Sequence, residues 1–184
     1  QEPTGERPYE AGVVMSESAA EGVTLAGTVT IPPGNGPFPA AVLITGSGPQ
    51  NRDEEIAGHK PFLVLADRLT RAGIVVLRYD DRGFGQSTGD FASATTRDFA
   101  DDAAAAADWL TKHDKTSVVG LIGHSEGGYV APMIAAEDDG IAFVITLAGP
   151  ALPGLDVLAR QNGDLFLAAG ATQDQANAVG KAAR

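Results

Sequence analysis

Ser117-Val118-Val119-Gly120-Leu121-Ile122-Gly123-His124-Ser125-Glu126-Gly127-Gly128 carries a short apolar run straight into the pattern G-x-S-x-G. In that pattern a serine sits on a strained turn between a strand and a helix, and glycines flank it because side chains there would collide with neighbouring backbone. The turn lifts the hydroxyl out of the sheet. It also leaves the N–H of the following residue, Glu126, at a helix N-terminus, where partial positive charge meets developing negative charge. G-x-S-x-G arises by chance in a chain with 23 glycines, so its context decides. Val118 to Ile122 supply the buried strand required upstream, and Tyr129 to Glu137 read as the helix required downstream, with Pro132 as a local irregularity.

Working outward, the same alternation repeats. Ala40 to Thr45 is an unbroken apolar run, the mark of a strand covered on both faces, and it exits into Gly46-Ser47-Gly48-Pro49. Phe62, Leu65, Ala66 and Leu69 then recur at helical spacing, with Arg68 and Arg71 in the last turns and Gly73 as the stop. Ile74 to Tyr79 is the next buried strand, leaving through Asp80-Asp81-Arg82-Gly83-Phe84-Gly85. Thr95 and Asp98 form a capping pair for a helix whose Phe99, Ala103, Ala106 and Leu110 share one face. Ile141 to Ala148 closes the series. Before it all, Val13 to Ser18 and Val23 to Ile31 read as an antiparallel pair at one edge. Strands alternating with helices at this spacing imply parallel crossovers, hence an α/β fold with a mostly parallel sheet and helices on both faces.

Residues 1 to 10 read as a loose polar arm, 11 to 153 as the core, and 154 to 184 as the start of a helical cap. Within the last part, Leu155 to Gln161 and Leu165 to Ala169 look helical, and Thr172-Gln173-Asp174-Gln175 reads as a capping box opening a weak last helix. The 184 residues suffice for one sizeable core. A net charge of -11 disfavours nucleic acid and anionic membranes as partners, and no run reaches the length of a membrane span. Without cysteine no zinc pattern is available, and no cofactor or metal is expected. The chain opens without Met or an apolar leader core, which reads as a processed or trimmed start and leans slightly toward export.

An activated serine needs a base within hydrogen-bond reach, an acid behind the base, and donors for the oxyanion. The donors are nominated as the backbone N–H groups of Glu126 and Ser47, the latter in the loop that leaves the strand at 40 to 45. All three histidines precede Ser125, and none reads well as the base. His124 adjoins the serine, where neighbouring side chains point apart; His113 ends a helix, where an imidazole answers the dipole; His59 has a surface or capping role. Asp53-Glu54-Glu55 reads as a solvated loop, with Asn51-Arg52-Asp53 pinning it through internal ion pairs, and Asp80-Asp81-Arg82 reads as structural pairing. Gly83-Phe84-Gly85-Gln86-Ser87-Thr88 fails the dinucleotide fingerprint, and Gly46-Ser47-Gly48-Pro49 lacks the lysine of a phosphate loop.

Taken together, Gly46-Ser47-Gly48-Pro49-Gln50-Asn51-Arg52-Asp53, Tyr79-Asp80-Asp81-Arg82-Gly83-x-Gly85-x-Ser87 and Gly123-His124-Ser125-Glu126-Gly127-Gly128, in this order, resemble the α/β-hydrolase superfamily. The chain is most similar to bacterial serine esterases of the dienelactone-hydrolase-like and serine-aminopeptidase-like groups. The resemblance covers about residues 22 to 155 and implies a serine hydrolase with Ser125 as nucleophile, Ser47 and Glu126 as oxyanion donors, and small-molecule esters of small acids as substrates. Serine at 125 separates it from true dienelactone hydrolases, which use Cys, and from dehalogenases, which use Asp.

The resemblance also implies that the acid and then the base follow the nucleophile on later strands. They are therefore expected beyond residue 184, the sheet is expected to be incomplete at its C-terminal edge, and the 184 residues alone are expected to be inactive. The strand 141 to 148 is then an exposed apolar edge that pairs with the missing C-terminal part or with another chain. Two other readings stand beside the esterase: a non-catalytic hydrolase-like module that keeps the elbow as scaffold, and an aminopeptidase, for which the cap offers Asp156, Asp164 and Asp174.

Overall fold

The computed structural model describes residues 2–182. They divide into two compact units, the first ending at Gly149 and the second starting at Pro150.

In the first unit, β1 (Glu10–Glu17), β2 (Thr24–Ile31), β3 (Phe38–Ile44), β4 (Val75–Tyr79), β5 (Thr116–His124) and β6 (Ile141–Leu147) form one sheet in the order β1-β2-β4-β3-β5-β6. β1 and β2 pair antiparallel, as their β-branched composition predicts, and β2 joins β4 antiparallel; the β4-β3-β5-β6 part is wholly parallel. The crossovers are α1 (Pro61–Arg71), α2 (Thr96–Thr111) and α3 (Gly127–Ala135).

The two faces are distributed by alternation along the central strands. Ala41, Leu43, Val76 and Ile122 point to one side, where Phe62 and Ala66 of α1 cover them. Val42, Ile44, Leu77 and Leu121 point to the other, against Ala103, Ala106 and Leu110 of α2 and Val130 of α3. The helices therefore lie on both faces. From Ala40 on, β3 reads as a continuous apolar run because neither face meets water, and β4 is buried throughout although it carries Arg78.

Each helix end follows from local chemistry. Pro61 opens α1, Arg68 and Arg71 occupy its last turn, and Gly73, at φ 93°, ends it. The capping box of α2 is reciprocal, with Thr95 Oγ1 accepting from the Asp98 N–H and the Asp98 carboxylate accepting from the Thr95 N–H. α3 starts at Gly127, two residues before the Tyr129 predicted, because the turn at Ser125 feeds the helix without a spacer. Pro132 lies inside α3 and removes one N–H from its ladder.

Ahead of β1, Tyr9 donates its hydroxyl to Asp67 Oδ1 at 2.7 Å, and Arg71 donates to the Glu6 carbonyl at 2.9 Å. At the opposite edge β6 pairs with β5 alone among the described residues, and Ile145 and Leu147 stand 45% and 37% exposed.

The second unit is a helical pair, α4 (Gly154–Ala168) and α5 (Gln173–Ala182). The stretches expected to be helical over 155 to 161 and 165 to 169 belong to one continuous helix. Gly163 does not break it; a Cβ there would lie 3.4 Å from the Ala176 carbonyl, and one at Gly180 would lie 2.9 Å from the Ala159 carbonyl, so these glycines mark where α4 and α5 approach closely. Thr172 and Gln175 make the predicted capping contacts at the start of α5.

Candidate active site

β5 ends in the turn that the sequence singles out. Ser125 has φ 49°, a left-handed conformation that an L-residue with a side chain enters only under constraint. The constraint is visible: the Ser125 N–H donates to the Leu147 carbonyl of β6 at 2.9 Å, and its carbonyl accepts from the Gly128 N–H at 2.9 Å. Three glycines make the kink sterically possible. A Cβ at Gly123 would fall on the Gly127 carbonyl, one at Gly127 would lie 2.5 Å from the Ile44 carbonyl oxygen, and one at Gly128 would lie 2.6 Å from Gly149 Cα. Ser125 itself is half-buried, neither sealed under the fold nor free of it.

Glu126 follows as the first residue before α3, with helical φ and ψ. Among the described residues its N–H has no acceptor, as expected at a helix start, and it points its partial charge where an anion is favoured. Its side chain is tied down separately, with Oε1 accepting from Thr96 Oγ1 of α2 at 2.8 Å.

The loop leaving β3 meets the same spot. A Cβ at Gly46 would sit 3.1 Å from Ser125 Cβ, so the loop backbone lies directly against the serine. The Gly46 N–H is committed to Glu54 Oε1 at 2.8 Å. The next N–H, that of Ser47, has no acceptor among the described residues, and Ser47 is exposed. Ser47, Ser125 and Glu126, nominated from sequence, are thus brought to one locality.

Of the histidines, His124 joins them, its Nδ1 against the Gly46 backbone, but among the described residues it does not bond to the serine. His124 Nδ1 lies 2.7 Å from Glu54 Oε1. His113 Nδ1 accepts from the Lys115 N–H at 3.3 Å, and its ring packs on Trp109 with centroids 5.1 Å apart. His59 is exposed and exchanges backbone hydrogen bonds with Ile56 at 2.9 Å. Among the described residues none bonds to Ser125.

The carboxylates differ from the expectation. Glu54, predicted to lie in a solvated loop, is 1% exposed and sits beneath Gly46 and His124. The ion pairs of Asn51-Arg52-Asp53 are not internal to the loop either. Arg52 grips Asp80 with Nε at 2.9 Å and Nη2 at 2.6 Å, and Asp53 pairs with Arg78 of β4; only the Asn51 side chain acts locally, accepting from the Asp53 N–H at 3.0 Å. The loop is therefore fastened to β4 and its exit rather than to itself. No local signal marks Glu54, because an acidic triplet reads as surface until the fold places its middle residue.

Asp80, Asp81 and Arg82, expected to pair structurally, do not pair with one another; each bonds to a partner elsewhere. Asp80 accepts from Arg52 and from the Gln86 N–H at 3.0 Å; these donors outweigh burial and hold its pKa below the usual carboxylate range. Arg82 pairs with Asp102 of α2. Asp81 accepts from Thr45 Oγ1 at 2.7 Å and from the Gln50 N–H at 2.8 Å, fixing both ends of the loop that contains Ser47. Burial pushes its pKa up to about 7, with the charges of Asp102 and Glu54 adding to the rise and the two donors opposing it. Among the described residues no cluster of three His, Cys, Asp or Glu groups is arranged to hold a metal, and no helix is long and apolar enough to cross a membrane.

A mostly parallel sheet with two-sided helices and a glycine-framed serine turn at the C-terminal end of β5, the third of its four parallel strands, defines an α/β hydrolase. Comparison with known proteins narrows this. The profile of the X-Pro dipeptidyl-peptidase (S15) family matches residues 21–183, and the chain belongs to that family. It is 39% identical over 139 residues to Esterase EstD of Thermotoga maritima, a match covering 74% of this chain and 33% of that protein. Among solved structures, protein PA2218 of Pseudomonas aeruginosa superposes with a TM-score of 0.70 at 23% identity, covering 93% of this chain and 50% of PA2218. The α/β hydrolase GrgF of Penicillium sp. sh18 superposes with a TM-score of 0.67 at 25% identity, covering 88% and 53%. The chain thus spans a third to about half the length of these relatives.

Proposed function

We propose that the polypeptide carrying these residues is a serine carboxylesterase that transfers the acyl group of small carboxylic esters to Ser125 and then to water. The observation that supports it best is the positive φ of Ser125 beside two backbone donors without protein acceptors, Glu126 N–H and Ser47 N–H. In this reading Ser125 Oγ attacks the ester carbonyl as its proton passes to a base. The carbonyl oxygen, now negative, accepts from Glu126 and Ser47; the C–O bond to the alcohol breaks, and the alcohol takes the proton. Water repeats the sequence on the acyl-enzyme. In this reading the base is a histidine oriented by an aspartate, both expected from the family resemblance and not assigned to any residue of this chain.

Carboxylic ester as substrate class rests on likeness to EstD, named an esterase. The S15 family name favours a second reading, peptidase action on N-terminal X-Pro dipeptides by the same serine. Assaying the complete polypeptide on p-nitrophenyl acetate and on an X-Pro-p-nitroanilide separates the two. The ester is expected to turn over, and Ser125→Ala to lose about a thousandfold or more in kcat together with fluorophosphonate labelling. Unchanged turnover in Ser125→Ala removes the serine from the chemistry.

A further inference from the structure

Glu54 occupies the point at which the loop after β3 meets the serine turn. One oxygen, Oε1, faces both the Gly46 N–H at 2.8 Å and His124 Nδ1 at 2.7 Å. The residue before Ser47 and the residue before Ser125 therefore share a single acceptor. We infer that Glu54 is a positioning residue that sets the Ser47 N–H relative to the Ser125 hydroxyl, an inference that rests on the reading of Ser125 as nucleophile.

Two features support a task beyond filling space. A carboxylate that is 1% exposed carries a desolvation cost that an apolar side chain of similar size would not. Its backbone is also strained, with φ 50° at a non-glycine residue, a conformation that persists only where the surroundings over-determine it. They do so here: the Glu54 N–H bonds to the Asn51 carbonyl at 2.8 Å, Asp53 is held by Arg78, the Asp53 carbonyl accepts from the Phe62 N–H, and Arg52 is locked to Asp80. Of the two non-glycine residues of this loop with positive φ, Glu54 and Ala57, Glu54 is the one whose side chain bonds to the serine turn.

The geometry also explains which donor is left. With Gly46 N–H taken by Glu54, Ser47 supplies the next N–H along the loop. Asp81 fixes Thr45 and Gln50 at the two ends of that stretch, and Glu54 fixes Gly46 in between, so the peptide plane carrying the Ser47 N–H has little freedom left. The bond at Nδ1 ties His124, and with it the turn, to the same carboxylate. An oxyanion donor out of place is costly in the transition state and nearly silent in the ground state.

The test measures kcat per serine titrated by fluorophosphonate, and KM, for p-nitrophenyl acetate with the complete polypeptide bearing Glu54→Ala or Glu54→Gln. Glu54→Ala is expected to lower kcat per titrated site about 30-fold with KM within about twofold, less than the roughly hundredfold or more that removing a donor outright costs. Glu54→Gln keeps the shape and one acceptor oxygen; it is expected to lose about fivefold in kcat and to shift the Gly46 amide and His124 ring ¹⁵N resonances. That variant carries the test where Glu54→Ala does not fold. If the carboxylate only supports the fold, the variants lower the melting temperature and the number of titratable sites while kcat per site stays unchanged, and the inference falls. A loss confined to KM overturns it too. Ser125→Ala is measured alongside: retained turnover there removes the nucleophile reading and this inference together, whereas abolished turnover with unaltered Glu54 variants removes this inference alone.

Discussion

Arg82 and Asp102 form a bidentate ion pair in the interior, with Nε to Oδ2 at 2.7 Å and Nη2 to Oδ1 at 2.8 Å, and the two residues are 5% and 1% exposed. The pair joins the exit of β4 to the middle of α2, behind the serine turn. Such a pair adds little over an apolar substitute, because desolvation offsets most of the attraction, yet breaking it strands a buried charge. Asp102→Ala is therefore expected to cost about 3–5 kcal/mol in urea unfolding, and the double variant Arg82→Met with Asp102→Leu to recover most of that loss. A single variant as stable as the parent would show that water reaches Arg82.

Asp81 gives stability a pH dependence of unusual sign. Its folded pKa, pushed up to about 7 by burial, lies above the ordinary value of 3.8, so between these limits the folded state binds the extra proton. Its contribution to stability is full below pH about 4, declines by up to about 1.4 kcal/mol per pH unit as pH rises toward 7, and is flat above. Asp67 and Asp80 act oppositely and lower down. Both have folded pKa values below the usual range, Asp67 because Arg71 and Tyr9 outweigh its burial, so their contributions vanish as pH falls through those depressed values. Unfolding midpoints measured from pH 4 to 8 are expected to fall with rising pH in the parent and to flatten in Asp81→Asn. Parallel curves would place the titration elsewhere.

The sheet was readable because its signals are local and periodic. β3 announces two-sided burial by an unbroken apolar run from Ala40, and Thr95 with Asp98 announces α2 through a cap that involves four residues. Ser125 and Glu126 were readable for the same reason, since the steric demand of the turn falls on Gly123, Gly127 and Gly128, all within five positions. Glu54 was not. Its partners are Gly46, eight residues away, and His124, seventy away, and nothing in Asp53-Glu54-Glu55 distinguishes the member that will be buried. Arg52 and Asp53 were assigned a local pairing because they are adjacent, but Asp80 and Arg78, on β4 and at its exit, offered better geometry than a neighbour's short carboxylate. Long-range charge pairing depends on strand order, which no spacing along the chain encodes.

The turn should tolerate no side chain at Gly123. The obstacle to a Cβ there is the Gly127 carbonyl, a backbone group that cannot rotate away. Relief requires the start of α3 to move, and α3 is fixed in turn by Gly127 against the Ile44 carbonyl. Gly123→Ala is expected to cost at least about 3 kcal/mol by chemical denaturation, the upper end for overpacked sites, and to abolish fluorophosphonate labelling of whatever folded protein remains. Labelling at the parental rate would mean that the turn is softer than its contacts indicate.

Ser125 offers a direct measure of the strain held at the turn. Ser125→Ala removes the hydroxyl but keeps a Cβ at φ 49°, whereas Ser125→Gly removes the Cβ that makes the left-handed conformation costly. Both variants lack the nucleophile, so neither is expected to label. Their stabilities should differ nonetheless. Relief of the left-handed penalty contributes about 1–2 kcal/mol to the glycine variant, and the greater freedom of its unfolded chain takes back about 0.5–1 kcal/mol. Ser125→Gly is therefore expected to unfold at a higher urea midpoint than Ser125→Ala, by up to about 1.5 kcal/mol at equal slope. A glycine variant less stable than the alanine variant would mean that the neighbouring hydrogen bonds to Leu147 and Gly128 hold the turn without strain, and that the positive φ has no energetic cost for the hydroxyl to exploit.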